Sequence, residues 1–145
     1  MVHLALAKWP LVTLCGAQGA ATLVIDLNRT HATSAMWTRH ARFHRVWQAI
    51  TYALLSVLEI ALIVTPGPFP AQRFYLAAVL GSNPMLSCPV AFMCRKAYGG
   101  ALSDPNGVPP VSIIAFASEY HIDLNITAEV LALFALLANV ILFSH

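Results

Sequence analysis

The sequence predicts an all-α protein, a polytopic membrane four-helix bundle with polar loops 1 and 3 on one side. Three observations carry that reading. Apolar residues make up 59% of the 145 positions and charged residues 10%, with a mean hydropathy of +0.71, well above the roughly 45–50% apolar usage of soluble domains. Four mostly apolar stretches, at about 4–25, 41–64, 73–95 and 126–143, approach the about 20 residues that a bilayer crossing needs. Polar residues gather between these stretches, as expected where lipid is the solvent. The length fits one transmembrane domain, residues 1–145.

The first stretch is a retained helix rather than a cleaved leader. Its apolar run begins before Lys8, is too long for a leader's hydrophobic region, and is interrupted by Trp9, Pro10 and Gln18. Gly16 and Gly19, beside Ala17, Ala20 and Ala21, give it a small-residue face for close helix packing. Gln18 lies mid-span and needs a hydrogen-bond partner there.

The second stretch is preceded by the densest polar segment of the chain. Asp26, Asn28, Arg29, Thr30 and His31 are followed by Arg39, His40, Arg42, His44 and Arg45, with Trp37, Phe43, Trp47 and Gln48 among them. Thr38 is a candidate cap, and His40, His44 and Gln48 recur every four residues on one face. Glu59 continues that face inward, roughly 22 Å from His44 along the axis, so it forms a second buried polar site. Its expected partners are Gln18 and, on the third stretch, Ser82 and Asn83, where Pro84 should kink the helix and free a carbonyl. An ionisable residue inside a span is either a functional group or a protonated hydrogen-bonding one, and the sequence leaves both open for Glu59.

Between the third and fourth stretches, Tyr98 to Pro110 is rich in Gly, Pro, Asp and Asn and predicts a structured turn region. Residues 111–118 are apolar but too short to span, and are expected as an interfacial segment of about two helical turns. Glu119, His121, Asp123 and Asn125 follow, and Glu129 stands about one turn into the last helix.

Charge sets the orientation. Arg29, Arg39, Arg42 and Arg45 in loop 1 and Arg95 and Lys96 in loop 3 outweigh Lys8 and Arg73 at the other end, which places loops 1 and 3 in the cytosol and both termini across the membrane. The sequons at Asn28 and Asn125 should then stay bare. A net charge of +2, dispersed along the chain, excludes nucleic acid as a partner. Cys15, Cys88 and Cys94 show no C-x-x-C spacing and read as packing residues.

The chemistry points to loop 1 and its neighbours. His40, His44 and His31 can transfer protons near neutral pH, with Glu129 as the partner carboxylate. Asn28 and Gln48 would orient a substrate, Trp37 and Trp47 would line its pocket with Phe43, and His121 and Asp123 would close over it from loop 3. The H-x-x-x-H spacing also suits a metal ion, so His40, His44 and His31 are an alternative ligand set. The plainer reading makes the arginines and tryptophans an interfacial belt, with Asp26 and Asn28 a helix-ending turn and an arginine partner. No G-x-S-x-G, phosphate-binding loop or dinucleotide fingerprint occurs, and no cofactor is predicted beyond a metal ion in that alternative.

The segment from Asp26 to Gln48, with its His40-Ala-Arg-Phe-His44 core, and the later Tyr98-Gly-Gly100 and Asp104-Pro-Asn-Gly107 motifs resemble a group of small four-helix membrane proteins near the DoxX-like proteins. A wider similarity extends to sterol-isomerase-like bundles and to small membrane proteins of fungal secondary-metabolite clusters. The first resemblance implies no particular activity; the wider one implies isomerase, cyclase or oxygenase activity on greasy polyketides or terpenoids. The expectation is therefore a membrane enzyme acting on a hydrophobic small molecule by acid-base chemistry. The alternatives are a His-ligated oxygenase and a non-catalytic scaffold or transport protein, the last requiring a homo-oligomer.

Overall fold

The computed structural model describes residues 2–102, 110–116 and 118–145, with side chains from Leu6 onward. Four helices form the fold: α1 (Val2–Asp26), α2 (Arg39–Val64), α3 (Pro70–Cys94) and α4 (Leu124–Ser144). A 3₁₀ turn, Arg95–Tyr98, extends α3, and two strands, β1 (Val111–Ala115) and β2 (Ser118–Ile122), precede α4.

Local chemistry sets the helix ends. Thr38 caps α2 by accepting from the Ala41 amide, and Asp123 caps α4 by accepting from the Ile126 amide at 3.0 Å. The third helix starts at Pro70, where the missing amide hydrogen costs nothing in a first turn. Pro10, Pro84 and Pro89 lie inside helices, tolerated because neighbouring helices and Ser or Thr side chains compensate freed carbonyls in a membrane bundle.

The helices alternate in direction. Asp26 at the end of α1 pairs with Arg45 near the start of α2, and Phe143 at the end of α4 stacks on Phe74 at the start of α3. Loops 1 and 3 therefore share one end of the bundle. A core of Ala7, Leu11, Cys15, Phe74, Ala77, Ala78, Met85 and Leu136 runs between α1, α3 and α4, with Ile60, Leu62 and Ile63 of α2 packed against it.

Helices α1 and α2 approach closely at Gly19, where a Cβ would stand 2.6 Å from that of Ser56. Gly16, by contrast, has room for one. Three helices, α2, α3 with its 3₁₀ turn, and α4, are long and apolar enough to cross a membrane. Lys8, Pro10 and Gln18 keep the described part of α1 below that standard, where a fourth such helix was expected. Most large apolar side chains on the outer faces, Leu54, Val57, Val79 and Phe134 among them, are exposed, the pattern expected of surfaces meeting lipid.

The expectation for residues 111–118 is corrected. Val111–Ala115 is the first arm of an antiparallel hairpin and Ser118 begins the second, with Val111 opposite Ile122 and Ile113 opposite Tyr120. The alternation of Glu119, Tyr120, His121 and Ile122 has the two-residue period of a strand, and Val111, Ile113 and Ile114 are β-branched. Phe116 turns the corner at φ 51°. Of the turn region, Gly99 takes a left-handed conformation and the Tyr98 hydroxyl donates to the Ala91 carbonyl. Residues 103–109, including Asp104, lie outside the described residues.

Candidate functional site

Loop 1 is organised by Asn28. Its Oδ1 accepts from the Thr30 amide at 2.8 Å and the Thr30 hydroxyl at 2.6 Å, and its carbonyl accepts from the His31 and Thr33 amides. This is an Asx turn, so the side-chain acceptor expected to orient a substrate is spent on the loop itself. The same hydroxyl lies 2.7 Å from Nδ1 of His31, whose ring meets Trp37 edge to face at 5.3 Å. Trp37 thus supports His31 from within the loop.

Burial, and secondarily the Arg45 guanidinium, hold the His31 imidazole below its ordinary pKa, with Asp26 opposing. Arg45 also donates from Nη2 to the buried Asp26 at 2.6 Å. The plainer sequence reading of Asp26 as an arginine partner thereby holds.

The first two turns of α2 carry the most distinctive arrangement in the molecule. Nε2 of His40 and Nε2 of His44 are 3.0 Å apart, with ring planes at 90° and centroids 4.4 Å apart. A contact this short needs hydrogen on one nitrogen and a lone pair on the other. One ring of the pair therefore donates its Nε2 hydrogen to the Nε2 lone pair of the other.

Aromatic rings flank it. Phe43 and Trp47 lie 5.9 and 5.7 Å from the His44 ring. With Val46 and Ile50 they line an open, wholly apolar recess of about 320 Å³.

Other expected members are elsewhere. Gln48 accepts from Arg45 and donates to the Tyr52 hydroxyl, staying on its own helix. His121 meets the Ser112 hydroxyl at 3.1 Å across the hairpin, and Asp123 is the α4 cap. Glu129 is half-buried in the second turn of α4. Among the described residues, no hydrogen bond or ion pair joins it to a histidine, and no three His, Cys, Asp or Glu side chains converge as a metal cage.

The second polar site also differs from expectation. Glu59 is buried, but Asn83 is exposed and bonds the Val79 and Leu80 carbonyls of its own helix, as Ser82 bonds Val79. Gln18 keeps a buried Nε2 without a partner among the described residues. The neighbours of Glu59 are Cys15 and Gly81: a Cβ at Gly81 would meet its Oε2 at 3.6 Å and the Cys15 sulfur at 3.7 Å. Sequence reasoning also passed over Asn139, buried in α4 with neither amide atom partnered among the described residues. Its signal was plain, a lone carboxamide in the apolar run from Val130 to Phe143. Comparison with protein-family models, curated proteins and solved structures finds no significant match to this chain.

Proposed function

We propose that this protein is an integral membrane enzyme that moves protons on a hydrophobic small molecule, of polyketide, terpenoid or sterol type, in an isomerisation or cyclisation. The observation that carries the reading is the Nε2 to Nε2 contact of 3.0 Å between His40 and His44 beside an apolar recess. One ring of such a pair can give a proton while the other accepts one, which a double-bond shift requires at two positions of the substrate. The ring faces of Phe43 and Trp47 suit a greasy skeleton and steady a developing cation. Thr38 fixes the helix start that presents the pair, and the bond between Arg45 and Asp26 ties that turn to α1. His31 and Trp37 brace the loop beside the pair.

In the same reading loops 1 and 3 face the cytosol, because they carry most of the basic residues. The substrate then arrives laterally from the cytosolic leaflet.

The test is organic-phase metabolite profiling of a producing strain that carries wild type, His40→Ala, His44→Ala or a deletion. Either substitution should shift the profile to that of the deletion while the protein remains in the membrane. A wild-type profile from both variants contradicts the proposal. Metal analysis of the purified protein separates it from the oxygenase reading, which requires stoichiometric iron, copper or zinc.

A further inference from the structure

At the end of the bundle opposite the histidine pair, a recess of about 270 Å³ opens where the start of α1, the end of α2 and the start of α3 meet. Leu62, Ile63, Pro70 and Phe74 give it apolar walls, and two cations, Lys8 and Arg73, line it with them. The connection from Thr65 to Pro70 holds three prolines, whose fixed φ angles pre-form the rim.

Arg73 is held in place. Its Nη2 donates at 3.2 Å to the Ala61 carbonyl in the last turn of α2, and a Cβ at Gly67 would stand only 2.9 Å from Nη1. The Lys8 ammonium sits 5.3 Å from the Trp9 ring centroid.

Neither cation has a carboxylate partner among the described residues. Asp26, Glu119, Asp123 and Glu129 belong to the other end of the bundle, and Glu59 is enclosed beside Cys15 and Gly81. Two positive charges with no carboxylate partner among the described residues, set in an apolar recess at the rim of a membrane bundle, attract an anion, because low-dielectric walls focus their field.

A small free anion would leave the apolar walls wet, and a neutral lipid would leave the charges unmatched. Basic pockets between membrane helices recognise anionic headgroups. The volume lies just below the roughly 300–1,000 Å³ of small-molecule pockets, enough for a headgroup and the first part of a tail. The remaining tail would run along the exposed apolar surface of α2 and α3.

We infer that this recess binds an anionic amphiphile, a carboxylate or phosphate headgroup on an apolar tail, with the headgroup held between Lys8 and Arg73. The site is separate from the histidine pair, and its test needs no turnover.

Full-length protein in a non-ionic detergent is titrated by calorimetry with tetradecyl phosphate, tetradecanol and inorganic phosphate. Trp9 fluorescence, read in a Trp37→Phe, Trp47→Phe background, reports the location. Tetradecyl phosphate should bind at least roughly tenfold more tightly than either comparator, and Lys8→Gln should remove about that factor, the loss of one charge-assisted contact. Arg73→Gln should do the same, and Arg73→Lys should recover part of the loss. Because Arg73 also holds the end of α2, Lys8→Gln decides the matter if the Arg73 variants unfold. Equal affinity for tetradecyl phosphate and tetradecanol overturns the inference, as does Lys8→Gln binding like wild type. Inorganic phosphate binding as tightly as its tetradecyl ester would reduce the site to a simple anion site and overturn it as well.

Discussion

Replacing Gly19 by alanine tests the packing of α1 against α2 where a side chain has no room. The added methyl would lie 2.6 Å from the Ser56 Cβ and 2.8 Å from its Oγ, whereas ordinary contact begins at 3.4 Å, so one helix must move by about 0.8 Å. That movement also stretches the 2.7 Å bond from the Ser56 hydroxyl to the Cys15 carbonyl. Overpacking of this kind costs about 1–3 kcal/mol, and weakening a hydrogen bond between membrane helices adds about 0.6 kcal/mol. Gly19→Ala should therefore destabilise by about 2–4 kcal/mol.

Gly16→Ala is the control. Its methyl would meet only the Ile60 Cδ1, at 3.7 Å, so the change should be close to neutral or slightly stabilising. The assay is reversible unfolding in lipid-detergent bicelles followed by helicity. Adding Ser56→Gly to Gly19→Ala removes both clashing atoms and should recover most of the steric cost, which a double-mutant cycle measures. Equal stability of the Gly16→Ala and Gly19→Ala proteins would refute the reasoning, since only one of the two sites lacks room.

Two further outcomes follow from loop 1. Arg45→Ala should cost about 3 kcal/mol in the same unfolding assay, because it strands the buried Asp26 carboxylate, and Arg45→Ala with Asp26→Asn should recover part of it. Stability should also fall on acidification through His31. Its imidazole is held below the ordinary value of 6.5 in the fold, first by burial and then by Arg45, so the unfolded chain takes up the proton first. The contribution is complete above pH 6.5, declines as pH falls below that value, and levels off once the folded imidazole is also protonated. His31→Gln should remove this component of the pH profile, and an unchanged profile would count against it.

The helices were legible because apolar runs bounded by turn-forming residues have few alternatives in lipid. The hairpin was not. Its first arm is nearly continuous in apolar residues, and its corner is made by Phe116, which carries none of the Gly or Asn signature of a left-handed turn position. The alternation from Glu119 to Ile122 was the available signal.

Within the site, the pairing of His40 with His44 follows from four-residue spacing on one helix and needs no tertiary information. The expected role of Glu129 depended on how α4 is rotated, which spacing cannot give, and among the described residues no ion pair joins that carboxyl to a histidine. Glu59 was visible as a buried carboxyl, but its neighbours on other helices were not. Cys15 and Gly81 carry no polar pattern that singles them out.

The most direct measurement is nitrogen NMR of histidine-labelled protein in micelles. The 3.0 Å contact should give scalar coupling between the Nε2 atoms of His40 and His44 across one shared hydrogen, lost in either single alanine variant. Two uncoupled rings, each with a spectrum unchanged when the other is replaced, would contradict it.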